Sequence, residues 1–165
     1  MPIIPYSQLQ DYLLKCIKKA LDEVGEKVNK LLREHIDEDV YHAGYQTNYY
    51  AYGTTRPTFD LRESVTTSNV KASGNQAEVF IYHDKNKMRL DPDNFVHGSN
   101  YWHNRDIRDI LPEIIEYGLS GDLFGKGWWQ DPRPYVQNTI DELKSQGKLK
   151  QWFKESLEKQ GLKVK

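Results

Sequence analysis

The chain has 165 residues, enough for one domain with a core of its own. Hydrophobic residues make up only 38%, aromatics reach 12% with 11 Tyr and 4 Trp, and the net charge is −1. That balance argues against bulk attraction to nucleic acid, the single Cys16 excludes an intrachain disulfide or a cysteine-built metal cage, and no apolar run reaches the roughly 18 residues of a membrane span. Nor does the stretch from Met1 to Tyr6 carry the basic head and apolar run of a secretion signal, so synthesis and assembly in a reducing cytoplasm are expected. Aliphatic core material is thin and amphipathic aromatics are plentiful. Tyr and Trp bury large rings at small entropy cost and suit protein interfaces.

In chain order, Ser7 after Pro5 and Tyr6 reads as an N-cap. From there Leu9, Leu13, Ile17, Leu21, Val24, Val28, Leu31, Leu32 and Ile36 recur mainly at steps of three and four. They form one stripe of a long helix with charges on its other face. About thirty residues of helix span roughly 45 Å, so it should lie across a sheet or project to a neighbour. Cys16 falls on the apolar face, where a free thiol acts as a small hydrophobe. Gly25 costs about 1 kcal/mol in mid-helix against Ala and marks a kink or a close contact.

Residues 41–59 break every period. Tyr41, Tyr45, Tyr49, Tyr50 and Tyr52 lie there among Gly and Thr. Loops longer than about 12–15 residues within a domain are usually functional or disordered, and this aromatic content argues against disorder. Leu61–Val70 is β-branched and polar, Ser73–Gln76 is a turn and Ala77–His83 is a second strand, together a hairpin. Asp84–His103 reads as loop, with room for a third strand near Phe95 and Val96. Asp106–Tyr117 predicts an amphipathic helix capped by Gly118, starting or bending at Pro112. Residues 118–134 form a Gly- and Trp-rich loop. Tyr135–Leu143 predicts a helix with Val136, Ile140 and Leu143 on one side, Gly147 interrupts, and Leu149–Gln160 makes a last helix. The expected fold is α+β: a long N-terminal helix packed on a small antiparallel β-sheet, with shorter C-terminal helices. One domain is expected over residues 1–165, with long loops at 41–59, 84–103 and 118–134.

No pattern of catalytic residues emerges, and no cofactor is implied. His83, His97 and His103 are candidates for a metal-dependent hydrolase, but their spacing matches no ligand pattern with a supporting shell. His35 and His42 sit near the end of the long helix, where a cation favours the dipole. Glu113 with Glu116 and Asp91 with Asp93 are ordinary exposed carboxylates or turn residues. A glycosidase pair would need two separated, environment-tuned groups. Gly118, Ser120 and Gly121 miss the spacing of a nucleophile elbow. Gly121, Gly125 and Lys126 do not make a phosphate loop, and a helix rather than a strand precedes them. From Lys144 to Lys165, seven lysines stand against Glu155 and Glu158, a net of +5. Lys148, Lys150 and Lys154 are therefore candidate nucleic-acid contacts, the alternative function being a nucleic-acid-binding module.

Three segments carry a resemblance: RPTFDLRESV over Arg56–Val65, IEYG over Ile115–Gly118, and PRPY over Pro132–Tyr135. In that order and spacing the chain resembles bacteriophage neck or minor tail (tail-completion) proteins of siphophages and related prophages, over residues 8–160. The stretches Asp84–His103 and Leu119–Asp131 are longer than in compact members. The resemblance implies a non-enzymatic virion component, assembled in the host cytoplasm as a homo-oligomeric ring, a hexamer, around the channel through which DNA passes. Implied partners are head-closure or connector proteins and the tail tube or tail terminator, with no membrane involved. Because hot spots favour Trp, Tyr and Arg, the expected interface residues are Tyr45, Tyr49, Tyr50, Tyr52, Trp128, Trp129, Arg133 and Tyr135.

Overall fold

The computed structural model describes residues 5–42, 60–73, 76–88, 106–118 and 131–164. Its elements are α1 (Tyr6–His35), a π-helical continuation (Ile36–Tyr41), α2 (Asp60–Ser64), β1 (Val65–Thr67), β2 (Lys71–Ser73), β3 (Gln76–Glu78), β4 (Ile81–His83), a single 3-10 turn (Lys85–Lys87), α3 (Ile107–Tyr117), α4 (Tyr135–Ser145) and α5 (Lys148–Lys159). The fold is α+β, with a long N-terminal helix, a small antiparallel sheet and shorter C-terminal helices. The third strand expected near Phe95 lies outside the described residues.

The chain forms two compact units. One comprises residues 1–30, 67–81 and 142–165, the other residues 31–66 and 82–141. The divisions fall within α1, β1, β4 and α4.

In the first unit α5 runs antiparallel to α1. Tyr12 Oη donates to the Gln160 carbonyl at 3.2 Å, Gln160 Nε2 to the Cys16 carbonyl at 3.1 Å, and Ser156 Oγ to Glu23 at 2.7 Å. Between these ties Cys16, Ala20 and Leu157 are buried, with Phe153, Leu162 and Val164 packed against them. The hairpin approaches the same helix at Gly25. A Cβ there would stand 2.9 Å from Thr67 Cγ2 and 3.1 Å from Val79 Cγ2, so the missing side chain admits the strands. The helix runs on through Gly25, where the glycine marks a close contact. One turn later Asn29 Nδ2 donates to Thr67 Oγ1 at 3.0 Å and fixes the approach.

The hairpin is real but broken. Asp84 N donates to Ser64 O and Ser68 N to Phe80 O, both at 2.8 Å, so β1 and β4 pair antiparallel. Beyond the break β2 pairs β3 with Lys71 opposite Glu78 and Ser73 opposite Gln76. From Ser68 to Lys71 is one residue more than from Glu78 to Phe80, a bulge-like offset. Ser68 Oγ satisfies the gap by accepting from Phe80 N at 2.9 Å.

In the second unit the expected first strand starts late, because Asp60–Ser64 is a turn of helix. Leu61 and Val65 are buried, and Ser64 Oγ donates back to the Leu61 carbonyl at 2.7 Å, a local bond that favours the helical turn. Arg62 Nη1 meets both oxygens of Asp37 at 3.0 and 3.1 Å. The π-helical turn, closed by His42 N on Asp37 O at 2.8 Å, buries Ile36 and Val40. Its Asp39 pairs with His35 at 3.2 Å and accepts from Asn138 at 2.9 Å. Helix α3 is capped by Asp106, whose side chain accepts from Arg108 N, and by Gly118 at φ 72°. Hydrogen bonds from the Arg108 side chain hold the Asp106 carboxyl down to about 2. Pro112 neither starts α3 nor ends it; it lies inside. It removes one amide donor, and the Pro112 carbonyl oxygen lies 3.4 Å from Tyr135 Oη.

Candidate functional site

Two features stand out, one internal and one on the surface. The internal one joins α2, β4, α3 and α4. Ser64 and Tyr135 are fully buried, each 0% exposed. His83 Nδ1 lies 2.7 Å from Ser64 Oγ, and His83 Nε2 lies 3.0 Å from Tyr135 Oη. The proton order follows from the ends of the chain. Since Ser64 Oγ donates to Leu61 O, it accepts from His83 Nδ1–H, and Nε2 accepts the Tyr135 hydroxyl. Burial lowers His83 to about 4, against a smaller opposing effect from the Leu61 backbone, so the ring is neutral near pH 7. Burial foremost, then the Glu116 and Tyr41 charges, pushes the Tyr135 hydroxyl upward, so it stays a donor. Both ring nitrogens are engaged and both hydroxyls lack solvent access. The arrangement orients and locks rather than attacks.

The same residues explain why the Glu-Tyr-Gly and Pro-Arg-Pro-Tyr segments occur together. Glu116 is buried, and its two carboxylate oxygens accept from Val136 N at 2.8 Å and Gln137 N at 3.0 Å. It thus caps the start of α4 from another helix, where the dipole favours a negative charge. Arg133 N donates to the Ile115 carbonyl at 2.9 Å. Arg133 and Tyr135, expected at an interface, are buried by the chain itself. Pro132–Tyr135 turns inward because this pairing ties its backbone to the end of α3. Glu116, read from sequence as an ordinary exposed acid, proves structural. No local signal could have shown this, since its partners lie about twenty residues away.

Tyr45, Tyr49, Tyr50, Tyr52, Trp128, Trp129, His97 and His103 lie outside the described residues. Lys148 is tied to Glu142 and stands over the Trp152 ring at 5.9 Å, with Lys27 over the same ring at 5.4 Å. Lys154 pairs with Glu158 at 3.8 Å, while Lys150 is exposed. Among the described residues, no group of three or more His, Cys, Asp or Glu side chains could hold a metal ion, and no helix is long and apolar enough to cross a membrane.

The surface feature is at the start of α1. Leu9 and Leu13, expected within the buried stripe, are 44% and 37% exposed, and Tyr6 is 73% exposed. The stripe continues under cover at Val24, Leu31, Leu32 and Ile36. Periodicity therefore marked an apolar face correctly, while among the described residues only its later part is buried.

No curated protein and no solved structure gives a significant match. A family model described as YomN matches residues 5–159, a span that takes in α1, the hairpin, the Glu116 cap and α5. The chain belongs to the YomN family, a phage-derived family named after a Bacillus prophage gene, and is in that sense a phage protein.

Proposed function

We propose that the chain is a structural component of the virion at the head–tail joint, a neck or tail-completion protein without enzymatic activity. It acts by forming a ring, six-fold, around the DNA channel. Its partners are head-closure or connector proteins on one side and the tail tube or terminator on the other. It is assembled in the host cytoplasm. The observation that supports an assembly role is the uncovered apolar face of α1 at Tyr6, Leu9 and Leu13, in a chain whose hydrophobic content is only 38%. Exposed contiguous apolar surface on a chain with so little core material favours contact with other proteins. Phage membership of the family supports a virion setting, and the ordered Arg56–Val65, Ile115–Gly118 and Pro132–Tyr135 segments support the neck location. The internal Ser64, His83 and Tyr135 network has the character of a structural tie, which agrees with a non-enzymatic role. Lysates of a prophage lacking this gene should contain filled heads and separate tails by electron microscopy, and joined particles should return on complementation. Normal joining without the gene rejects the location.

A further inference from the structure

The whole-chain charge of −1 averages over two compact units of opposite sign. The first unit, residues 1–30, 67–81 and 142–165, carries 13 lysines, no arginine and 8 acidic residues, a net of +5. The second, residues 31–66 and 82–141, carries 10 lysines and arginines and 16 acidic residues, a net of −6. The positive excess comes from both ends of the chain, joined where α5 is tied to α1 by the Tyr12–Gln160 and Glu23–Ser156 hydrogen bonds. Part of it is neutralised within the unit. Lys27 lies 3.5 Å from Glu155, Lys154 3.8 Å from Glu158 and Lys159 3.9 Å from Glu23, and Lys148 meets Glu142. Lys15, Lys18, Lys19, Lys144, Lys150 and Lys163 are exposed and, among the described residues, form no ion pair. The excess of +5 stands with Asp11, Asp22 and Glu26 of the same long helix already counted. We propose that the first unit binds the phosphate backbone of a nucleic-acid duplex through these six lysines, without reading base sequence.

The sign of the excess requires an anionic partner, and the residue type selects among anions. Contacts between proteins favour arginine and aromatic rings and are depleted in lysine, whereas contacts to nucleic acid are strongly positive. A lysine ammonium is a hydrated point charge on a flexible stem. It suits phosphates spaced along a backbone and lacks the rigid fork with which arginine reads a base edge. Lys15, Lys18 and Lys19 stand three and four residues apart, so they are neighbours on the helix surface and repel one another until an anion comes between them. Charges farther apart than about 8 Å are largely screened at physiological ionic strength. The contact therefore answers to the local excess rather than to the whole-chain sum, which hides it. This role is separate from the assembly reading above and does not depend on a place at the head–tail joint.

Fluorescence anisotropy of the full chain with labelled DNA and RNA duplexes of unrelated sequences provides the test. Dissociation constants should fall in the range of about 10⁻⁴–10⁻⁶ M typical of sequence-independent contacts. With about four to six phosphates neutralised, affinity should drop roughly 10²–10³-fold between about 50 and 200 mM salt. The duplex bound more tightly identifies the kind of nucleic acid. Lys15→Gln/Lys18→Gln/Lys19→Gln should weaken binding and flatten the salt dependence by about one unit of slope per contacting lysine, with far-UV helicity unchanged. Lys15→Arg/Lys18→Arg/Lys19→Arg keeps the charge and should bind as the wild type does. Lys144→Gln/Lys150→Gln/Lys163→Gln is the second set should the first disturb α1. Lys87→Gln, in the second unit, should leave affinity and slope unchanged. Failure of both duplexes to bind at the lower salt overturns the proposal, as does binding that Lys87→Gln weakens as much as either triple variant. Salt-sensitive self-association lost in the triple variants, with no duplex bound, overturns it in favour of an acidic protein face. Pelleting with phosphatidylglycerol vesicles and no duplex bound overturns it in favour of a lipid surface. Normal head–tail joining in the absence of the gene rejects the neck location and leaves duplex binding standing.

Discussion

The two ends of α1 put the same kind of side chain to opposite use. At its C-terminal end Leu31 and Leu32 are buried, and the π-helical turn buries Ile36 and Val40 after them. At its N-terminal end Tyr6, Leu9 and Leu13 occupy the same sort of periodic positions and face solvent. The first set lies in the unit whose buried residues also include Leu61, Val65, Leu111, Ile114 and Tyr135, and whose segments are tied by the Ser64, His83 and Glu116 contacts. The second set has no such layer among the described residues. A buried leucine and an exposed one thus differ not in their sequence pattern but in whether polar ties elsewhere hold a cover over them.

The largest expected effect lies at the buried end. Ile36→Ala should lower unfolding free energy by about 2–5 kcal/mol in chemical denaturation, because Ile36 is fully buried and its loss leaves a cavity. A value below about 1 kcal/mol would mean that this end repacks freely, and the contrast between the ends would fail.

Next comes pH. His83 titrates near 4 when folded, against about 6.5 when free, so its folded-state value is depressed. The unfolded chain therefore takes up the proton first as pH falls. The stability from the neutral ring is complete above about pH 6.5, declines between about 6.5 and 4, and is gone below, a difference of up to ~3 kcal/mol. Thermal melts should show this slope in the wild type and a shallower one in His83→Gln. Equal slopes would remove His83 from the cause.

A smaller change is expected where the helix meets the hairpin. Gly25→Ala gains about 1 kcal/mol of helix propensity. It also drives a methyl to within 2.9 Å of Thr67 Cγ2, on a β-branched side chain that rotates poorly. Overpacking of this kind costs about 1–3 kcal/mol, so a net loss of about 1 kcal/mol should appear in denaturant melts. A stabilised variant would mean the strands yield. Smallest of all, Leu9→Ser should change monomer stability by no more than about 0.5 kcal/mol, as exposed substitutions do. A larger loss would show that the N-terminal end is covered after all and would erase the comparison.

The period of α1, the hairpin pairing, the Gly118 cap and the Gly147 interruption were all legible in the sequence, because each depends on residues not far apart along the chain. Gly147 adopts φ 61° between α4 and α5, as a residue without Cβ readily does. The turn of helix at Asp60–Ser64 was not legible, since Ser64 and Val65 read as β-formers and only the Leu61 back-bond and the Asp37–Arg62 pair favour the other choice. Tyr135 and Arg133 carried the composition of an interface, but composition does not say whether the neighbour is another chain or the same one. Glu116 and His83 acquire their roles from partners about 20 and 50 residues distant, beyond the reach of any local pattern.

The offset in the hairpin has a consequence for solubility. A single unbroken ribbon from Ser64 to Asp84 would present one long, straight row of backbone donors and acceptors on each side, a template on which further chains can stack as strands. The extra residue between Ser68 and Lys71 divides that ribbon into two three-residue pieces of different register, and Ser68 Oγ occupies the amide freed at the step. Deleting Asn69 or Val70 would restore a continuous ladder. The expected gain in strand length would come with a greater tendency to form fibrils.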